Sequence, residues 1–336
     1  MICYVTGDLF SSPAKVLVNT VNTVGVMGKG IALRFKQVYP EMFRQYQTLC
    51  EGGQLKIGNL WLYKTPHKWV LNFPTKENWR KPSKPEYIEA GLRKFVASYT
   101  AQGITSIAFP RLGCGNGELD WERTVQPLME AYLDKLPVDI FVYAADQTVA
   151  APEHKQIEQV SEWLRSEPRA LAFGEAWNDL TAAIGDGRSL AVWEGVDHFR
   201  VTTANPPSPG LRIQLGNGKG WLAGIFERLA TKVSPKSWLV KRLAPDLMFI
   251  PQEALLALWQ SIRTYGFCVP HTMPEHLDLV AQHIMPIMAL LPYLRPVKIA
   301  QPTAKNLPKE QLALQLFGAS ASASVEAPER PLARSA

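Results

Sequence analysis

The chain has 336 residues, too long for one average domain and long enough for two. Hydrophobic residues make up 46% and charged residues 20%, which excludes a wholly disordered or collagen-like chain, and no run of about 18 apolar residues marks a membrane helix. The net charge of +6 divides as 17 Lys and Arg against 13 Asp and Glu in residues 1–150, and 19 against 17 in the remainder. That balance permits an anionic ligand and suits an ordinary solvated surface as well. Cysteines at 3, 50, 114 and 268 form neither a metal spacing nor a dense disulfide framework. We therefore expect no metal, no cofactor and a reduced, cytoplasmic setting. The opening Met1–Asp8 lacks the basic and apolar regions of a signal peptide and reads as the start of a strand.

In chain order, Ile2–Val5 and Val16–Asn19 read as short strands. Ile31–Tyr39 and Glu41–Cys50 carry helix-period apolar residues, with Pro40 as a breaker between them. Leu60–Tyr63 and Trp69–Phe73 form a strand pair. Glu86–Tyr99 is amphipathic, with Ile88, Leu92 and Phe95 on one face and Val96 beside them. Ile104–Phe109 is a buried strand, Trp121–Leu136 a further amphipathic helix and Val138–Tyr143 a closing strand. This alternation argues for a sheet layered between helices over 1–150. Residues 150–156 read as a linker running into a helix. Residues 156–300 have their own apolar supply, including Trp177, Trp193, Trp221, Trp238 and Trp259, and predict a second, α+β domain with a loop at 205–210. Residues 302–336, rich in Ala, Ser and Pro, read as a disordered tail.

Three segments of the first half concentrate chemistry. In the first, a strand ends in Asn19 and Asn22, and a loop with Gly25, Gly28 and Gly30 runs into a helix. A glycine loop at a helix N-terminus lets backbone N–H groups approach a phosphate, or it is simply a turn; the P-loop and Rossmann spacings are both missing. Two asparagines flanking it suit hydrogen bonding to sugar hydroxyls. In the second, Asn72-Phe-Pro-Thr-Lys76 follows a strand, at the sheet end where open α/β folds place their sites. Lys76 is either a nucleophile toward an aldehyde carbon or a solvated lysine. In the third, Pro110-Arg-Leu-Gly-Cys-Gly-Asn-Gly-Glu118 again joins a strand to a helix. Together the two glycine loops make a clamp for a diphosphate. Asp120 reads as the cap of the helix beginning at Trp121. Cys114 reads as a small side chain in a tight loop, since His67 is the one histidine in the first 150 residues.

These segments, with Thr6-Gly-Asp-Leu9, resemble the macrodomain family over about residues 1–147, and within it the DarG-type branch. The resemblance implies a three-layer α/β/α fold with a mixed sheet. It implies ADP-ribose as ligand, with Asp8 accepting a hydrogen bond from the adenine amino group between Gly7 and Leu9. Asn22 would hold the distal ribose with Asn19 nearby. Gly25, Val26, Met27, Gly28, Lys29, Gly30, Ile31 and Ala32 would wrap the diphosphate and distal ribose, with Thr75 and Gly113, Cys114, Gly115, Asn116 and Gly117 opposite. Lys76 would be catalytic, assisted by Asn22. The related terminal ADP-ribose glycohydrolases carry an acidic residue two positions after Gly-Cys-Gly. Here that position is Gly117, with Glu118 adjacent and Asp120 three further along.

The resemblance further implies an ADP-ribosyl glycohydrolase that cleaves an N-glycosyl bond on ADP-ribosylated DNA. Such a protein would be the antitoxin to a co-encoded DNA ADP-ribosyltransferase toxin. The alternatives are a non-catalytic ADP-ribose-binding module and a glycohydrolase acting on ADP-ribosylated protein. In the second domain, Arg228, Lys232, Lys236, Lys241 and Arg242 around Trp238 read as a partner surface or a solvated helix face. Leu215–Trp221 reads as a hairpin turn, and Cys268, His271, His276 and His283 fit no zinc spacing.

Overall fold

The computed structural model describes residues 2–144, 151–193, 195–216, 241–244, 246–274, 276–301 and 309–318. It divides into two compact units, Met1–Trp163 and Leu164–Ala336. The division falls inside a helix, Ile157–Ser166, later than the linker that composition suggests at 150–156.

The first unit holds β1 (Ile2–Val5), β2 (Val16–Asn22), β3 (Trp61–Lys64), β4 (Trp69–Lys76), β5 (Ser106–Pro110) and β6 (Asp139–Tyr143). They form one mixed sheet in the order β1-β6-β5-β2-β4-β3. Neighbours are parallel throughout except β3, which runs antiparallel to β4. The helices are α1 (Gly30–Val38), α2 (Pro40–Glu51), α3 (Pro85–Ser98) and α4 (Gln126–Leu133), the last preceded by a π-turn over Trp121–Val125. Pro40 opens α2 at its first position, where the missing N–H has no partner to lose.

Strand alternation sorts the core. Val16 and Val18 of β2 join Leu71, Phe73, Ile107, Phe109, Ile140 and Val142 against Ile88, Leu92 and Phe95 of α3 and Met129 and Leu133 of α4. Each such side chain contributes roughly 1.5–3 kcal/mol on burial. Leu17, Val70 and Ala108 are buried too, and the period of two turns them to the other face. There α1 packs on β2, and α2 on α1. Gly91 lets α3 sit hard against the sheet, since a Cβ there would lie 2.1 Å from the Phe73 ring.

Two strands run longer than their sequence suggests. β2 continues through Asn22, and β4 through Lys76, because each keeps pairing with the other to that point. The asparagines and the lysine therefore stand on strands rather than in loops.

The second unit is α+β. A five-stranded antiparallel sheet runs β10-β11-β9-β8-β7, with β7 Arg188–Ala191, β8 His198–Ala204, β9 Gly210–Leu215, β10 Lys241–Ala244 and β11 Leu247–Pro251. The expected loop at 205–210 joins β8 to β9. Beside this sheet lie Phe173–Ile184 and Gln252–Tyr265, both helical; buried Trp259 on the latter donates to the Leu171 carbonyl at 3.0 Å. His283 is buried against Phe199.

A small second sheet, β12 (Phe267–Cys268), β14 (Lys309–Leu316) and β13 (Leu294–Gln301), corrects the tail reading. The disordered segment expected over 302–336 does not hold for Lys309–Leu316, which pairs with β13 along its whole length. Leu312-Ala-Leu-Gln-Leu316 supplies enough apolar residues for a half-buried strand, with Ala313 and Leu314 fully buried; averaging over the Ala- and Ser-rich remainder hides it. Residues 319–336, and the basic and Trp-rich stretch 217–240 with Trp221, Arg228, Lys232, Lys236 and Trp238, lie outside the described residues. No helix among the described residues is long and apolar enough to cross a membrane.

Candidate active site

Parallel β2, β4 and β5 all end at one edge of the first sheet, so the loops that follow them meet there. The register sets Asn19 beside Asn72 and Asn22 beside Lys76, with an irregularity after Val21.

The loop after β2 is organised by Asn22. Its Oδ1 accepts from the N–H groups of Val24 at 3.1 Å and Val26 at 3.2 Å, and its Nδ2 donates to the Val26 carbonyl at 2.6 Å. The Tyr46 hydroxyl lies 2.8 Å from the Asn22 carbonyl and 3.0 Å from Oδ1, and the Gln47 amide donates to the Gly25 carbonyl. The loop thus delivers Gly30 to the start of α1, where the first N–H groups have no helical acceptor.

The loop after β5 is tighter. Gly113 has φ +69°, and a Cβ at Gly117 would lie 2.2 Å from both the Gly113 carbonyl oxygen and Ser83 Oγ. No side chain fits there. Asp120 caps the following turn by accepting from the Arg123 N–H at 2.8 Å, as expected. The two loops come together where a Cβ on Gly30 would stand 3.0 Å from Asn116 Nδ2.

Between the loops is a cavity of about 320 Å³, in the range of small-molecule clefts. Its wall includes Asn22, Val26, Lys29, Gly30, Ile31, Ala32, Thr75, Lys76, Gly113, Gly115, Asn116 and Gly117 from the residues singled out in the sequence. It adds Thr20, Val21, Pro110, Arg111, Tyr143 and Glu153, none of which the sequence reading proposed as a site residue. The remaining candidates, Gly7, Asp8, Leu9, Asn19, Gly25, Met27, Gly28 and Cys114, do not line it. Asn19 is fully buried and donates to Asn72 Oδ1 at 2.9 Å, so it ties β2 to β4. Asp8 accepts from both Arg34 terminal nitrogens at 2.7 Å and from the Phe10 N–H at 3.1 Å; the Arg34 bonds hold its carboxyl below the usual range. Burial pushes the Cys114 thiol up to about 12, which leaves it protonated and inert.

Lys76 is the unusual group. It is 5% exposed, and among the described residues its Nζ has no hydrogen-bond partner. Glu153 Oε2 is 3.9 Å away, itself on a buried side chain. Burial lowers the Lys76 pKa, against the opposing pull of Glu153 and Glu118. Burial likewise raises that of Glu153, against Lys76 and Lys29. A lysine held this way is more readily the free amine, the form that attacks an electrophilic carbon. Among the described residues no three His, Cys, Asp or Glu side chains gather as a metal site.

Comparison with known proteins agrees with this geometry. The Macro domain family model matches residues 18–128. The human ADP-ribose glycohydrolase OARD1 is 31% identical over 145 residues, which are 42% of this chain and 90% of that protein. The chain belongs to the macro domain family. A "DNA ADP-ribosyl glycohydrolase" of Mycobacterium tuberculosis is 48% identical over 230 residues, 65% of this chain and 63% of that protein. A "DNA ADP-ribosyl transferase-DNA ADP-ribosyl glycohydrolase fusion protein" of Thermosipho africanus is 40% identical over 158 residues, 41% of this chain and 40% of that protein. The chain thus spans less than two thirds of the length of these last two relatives.

Proposed function

We propose that the first unit is an ADP-ribosyl glycohydrolase that releases ADP-ribose from modified DNA bases. The observation that carries this reading is Lys76, a buried lysine whose Nζ has no hydrogen-bond partner among the described residues, in the wall of a cleft bordered by two glycine loops. A module that only holds ADP-ribose needs backbone N–H groups for the diphosphate and no amine at the reacting carbon. The loops with Gly30 and Gly115 would seat the diphosphate. Asn22 would shape the wall around the distal ribose through the loop it organises. The Lys76 amine would attack or polarise the anomeric carbon. Asp8, already bound to Arg34, would receive the adenine amino group at the far end.

DNA is favoured over protein as the carrier of ADP-ribose by the names of the Mycobacterium and Thermosipho relatives. The fused transferase in the latter supports the further reading that this protein is the antitoxin of a paired DNA ADP-ribosyltransferase. The test is incubation with ADP-ribosylated DNA and, separately, ADP-ribosylated protein, reading free ADP-ribose. Release from DNA is expected. Tight binding without release from either would favour a non-catalytic module, and release from protein alone would favour the protein-directed activity.

A further inference from the structure

One carboxylate in the cleft comes from outside the motifs that carried the family resemblance. Glu153 follows β6 in a 3₁₀ turn, Glu153–Lys155, and is 7% exposed. Its Oε2 stands 3.9 Å from Lys76 Nζ. Both loops of the cleft hold the segment that carries it. From the first loop, Lys29 Nζ donates to the Ala151 carbonyl and to Gln156 Oε1, each at 2.6 Å. From the second, the Glu118 carboxylate takes His154 Nε2 at 2.7 Å and Lys155 Nζ. Glu118 does so from a left-handed backbone, φ +61°, which few residues other than glycine adopt. Carboxylates are almost never buried unless paired, and this one is buried against a lysine that has no hydrogen bond among the described residues.

Resting on the glycohydrolase reading above, we propose that Glu153 is the acid/base catalyst of the site, exchanging a proton with Lys76 Nζ and with the leaving base. The ammonium of Lys76 passes a proton to the Glu153 carboxylate, giving a free amine and a neutral acid. The amine lone pair forms a bond to the anomeric carbon as the carbon–base bond breaks, its electron pair going to the base nitrogen. Glu153 then protonates that nitrogen and is again a carboxylate. Water next attacks the anomeric carbon, giving a proton to Glu153, while the carbon–lysine bond breaks with its pair on Nζ. The acid returns the proton to Lys76. One water is consumed, and base and ADP-ribose leave. The titratable groups facing the pair are Glu118 toward Lys76, and Lys29 and the neutral Tyr46 phenol toward Glu153. Burial moves the two pKa values toward each other, the condition for cheap transfer between them.

The test compares full-length wild type with Glu153→Gln, Glu153→Asp and Glu153→Ala on an ADP-ribosylated oligonucleotide, over a range of pH, with calorimetry of ADP-ribose binding. We expect Glu153→Gln to lower kcat by about 10²-fold or more, with KM and ADP-ribose affinity within about threefold. One limb of the pH–rate profile should vanish, and Glu153→Asp should recover part of the rate. A Glu153→Gln rate within about threefold of wild type and an unchanged profile overturns the proposal. So does faster turnover in all three variants, which would make the segment a cover over the site. If wild type releases nothing from the oligonucleotide, the glycohydrolase reading has failed and the pair is judged alone. Carbon-13 NMR of Lys76 must then titrate at lower pH in Glu153→Gln, and an unmoved midpoint rejects the pairing.

Discussion

A lysine with no hydrogen bond among the described residues, packed beside a carboxylate that is also buried, is expected to cost stability. The cost can be measured. Lys76→Met leaves Glu153 without its nearest cation, so its carboxyl pKa, already above the ordinary 4.5, should rise further. A folded-state pKa raised in this way gives stability that is complete below the unfolded value and lost as pH rises through the folded one. Lys76→Met should therefore fall about 1–3 kcal/mol below wild type at neutral pH, with the gap closing toward about pH 5. Lys76→Met combined with Glu153→Leu removes both charges and should melt at or above the wild-type temperature. Thermal melts at the two pH values check this. A double variant as unstable as the single one would mean the pair is no burden.

At the scale of elements, the two strand-to-helix loops are expected to decide binding, since both line the cleft. Gly115→Glu places bulk and negative charge in the wall of the cleft. It should abolish ADP-ribose affinity measured by calorimetry, with the fold intact by circular dichroism. Unchanged affinity would reduce that loop to a turn. Gly117→Ala drives a Cβ into the Gly113 carbonyl and Ser83. It should cost about 1–3 kcal/mol in chemical denaturation and weaken ADP-ribose binding as well.

These loops were legible because glycines and a strand-ending Lys76 sit at fixed places along the chain. Asn19 was not, since its bond to Asn72 depends on the β2–β4 register, which alternation alone does not reveal. Glu153 was hidden for a different reason. Pro152-Glu-His-Lys155 has the composition of a solvated linker, and the segment is held in place by Lys29 and Glu118, more than 30 positions away in the chain. The sequence signal that could have found it is a carboxylate shortly after the last strand of the parallel sheet. β14 was missed because its few apolar residues are diluted in an Ala- and Ser-rich stretch.

Taken whole, the first unit extends to Trp163, whose ring lies near Lys36 and over Gly28. A fragment of residues 1–168 keeps both Trp163 and Glu153, whereas residues 1–150 keep neither. We expect the longer fragment to turn over within about threefold of the full chain and the shorter one to lose about 10²-fold or more. Equal rates in the two would remove everything after β6 from the mechanism. The second unit has its own sheets and its own buried core. On the antitoxin reading, the second unit is expected to engage a toxin partner, which a pull-down of the neighbouring gene product by residues 164–318 would detect.

The most direct measurement is single-turnover release of ADP-ribose from ADP-ribosylated DNA by wild type and Lys76→Ala, with ADP-ribose affinity measured on both. The phosphate contacts are expected to be mostly backbone, so binding should persist in the variant while the rate falls by about 10²-fold or more. Release by Lys76→Ala at a rate near that of wild type would contradict the assignment of the buried lysine to catalysis.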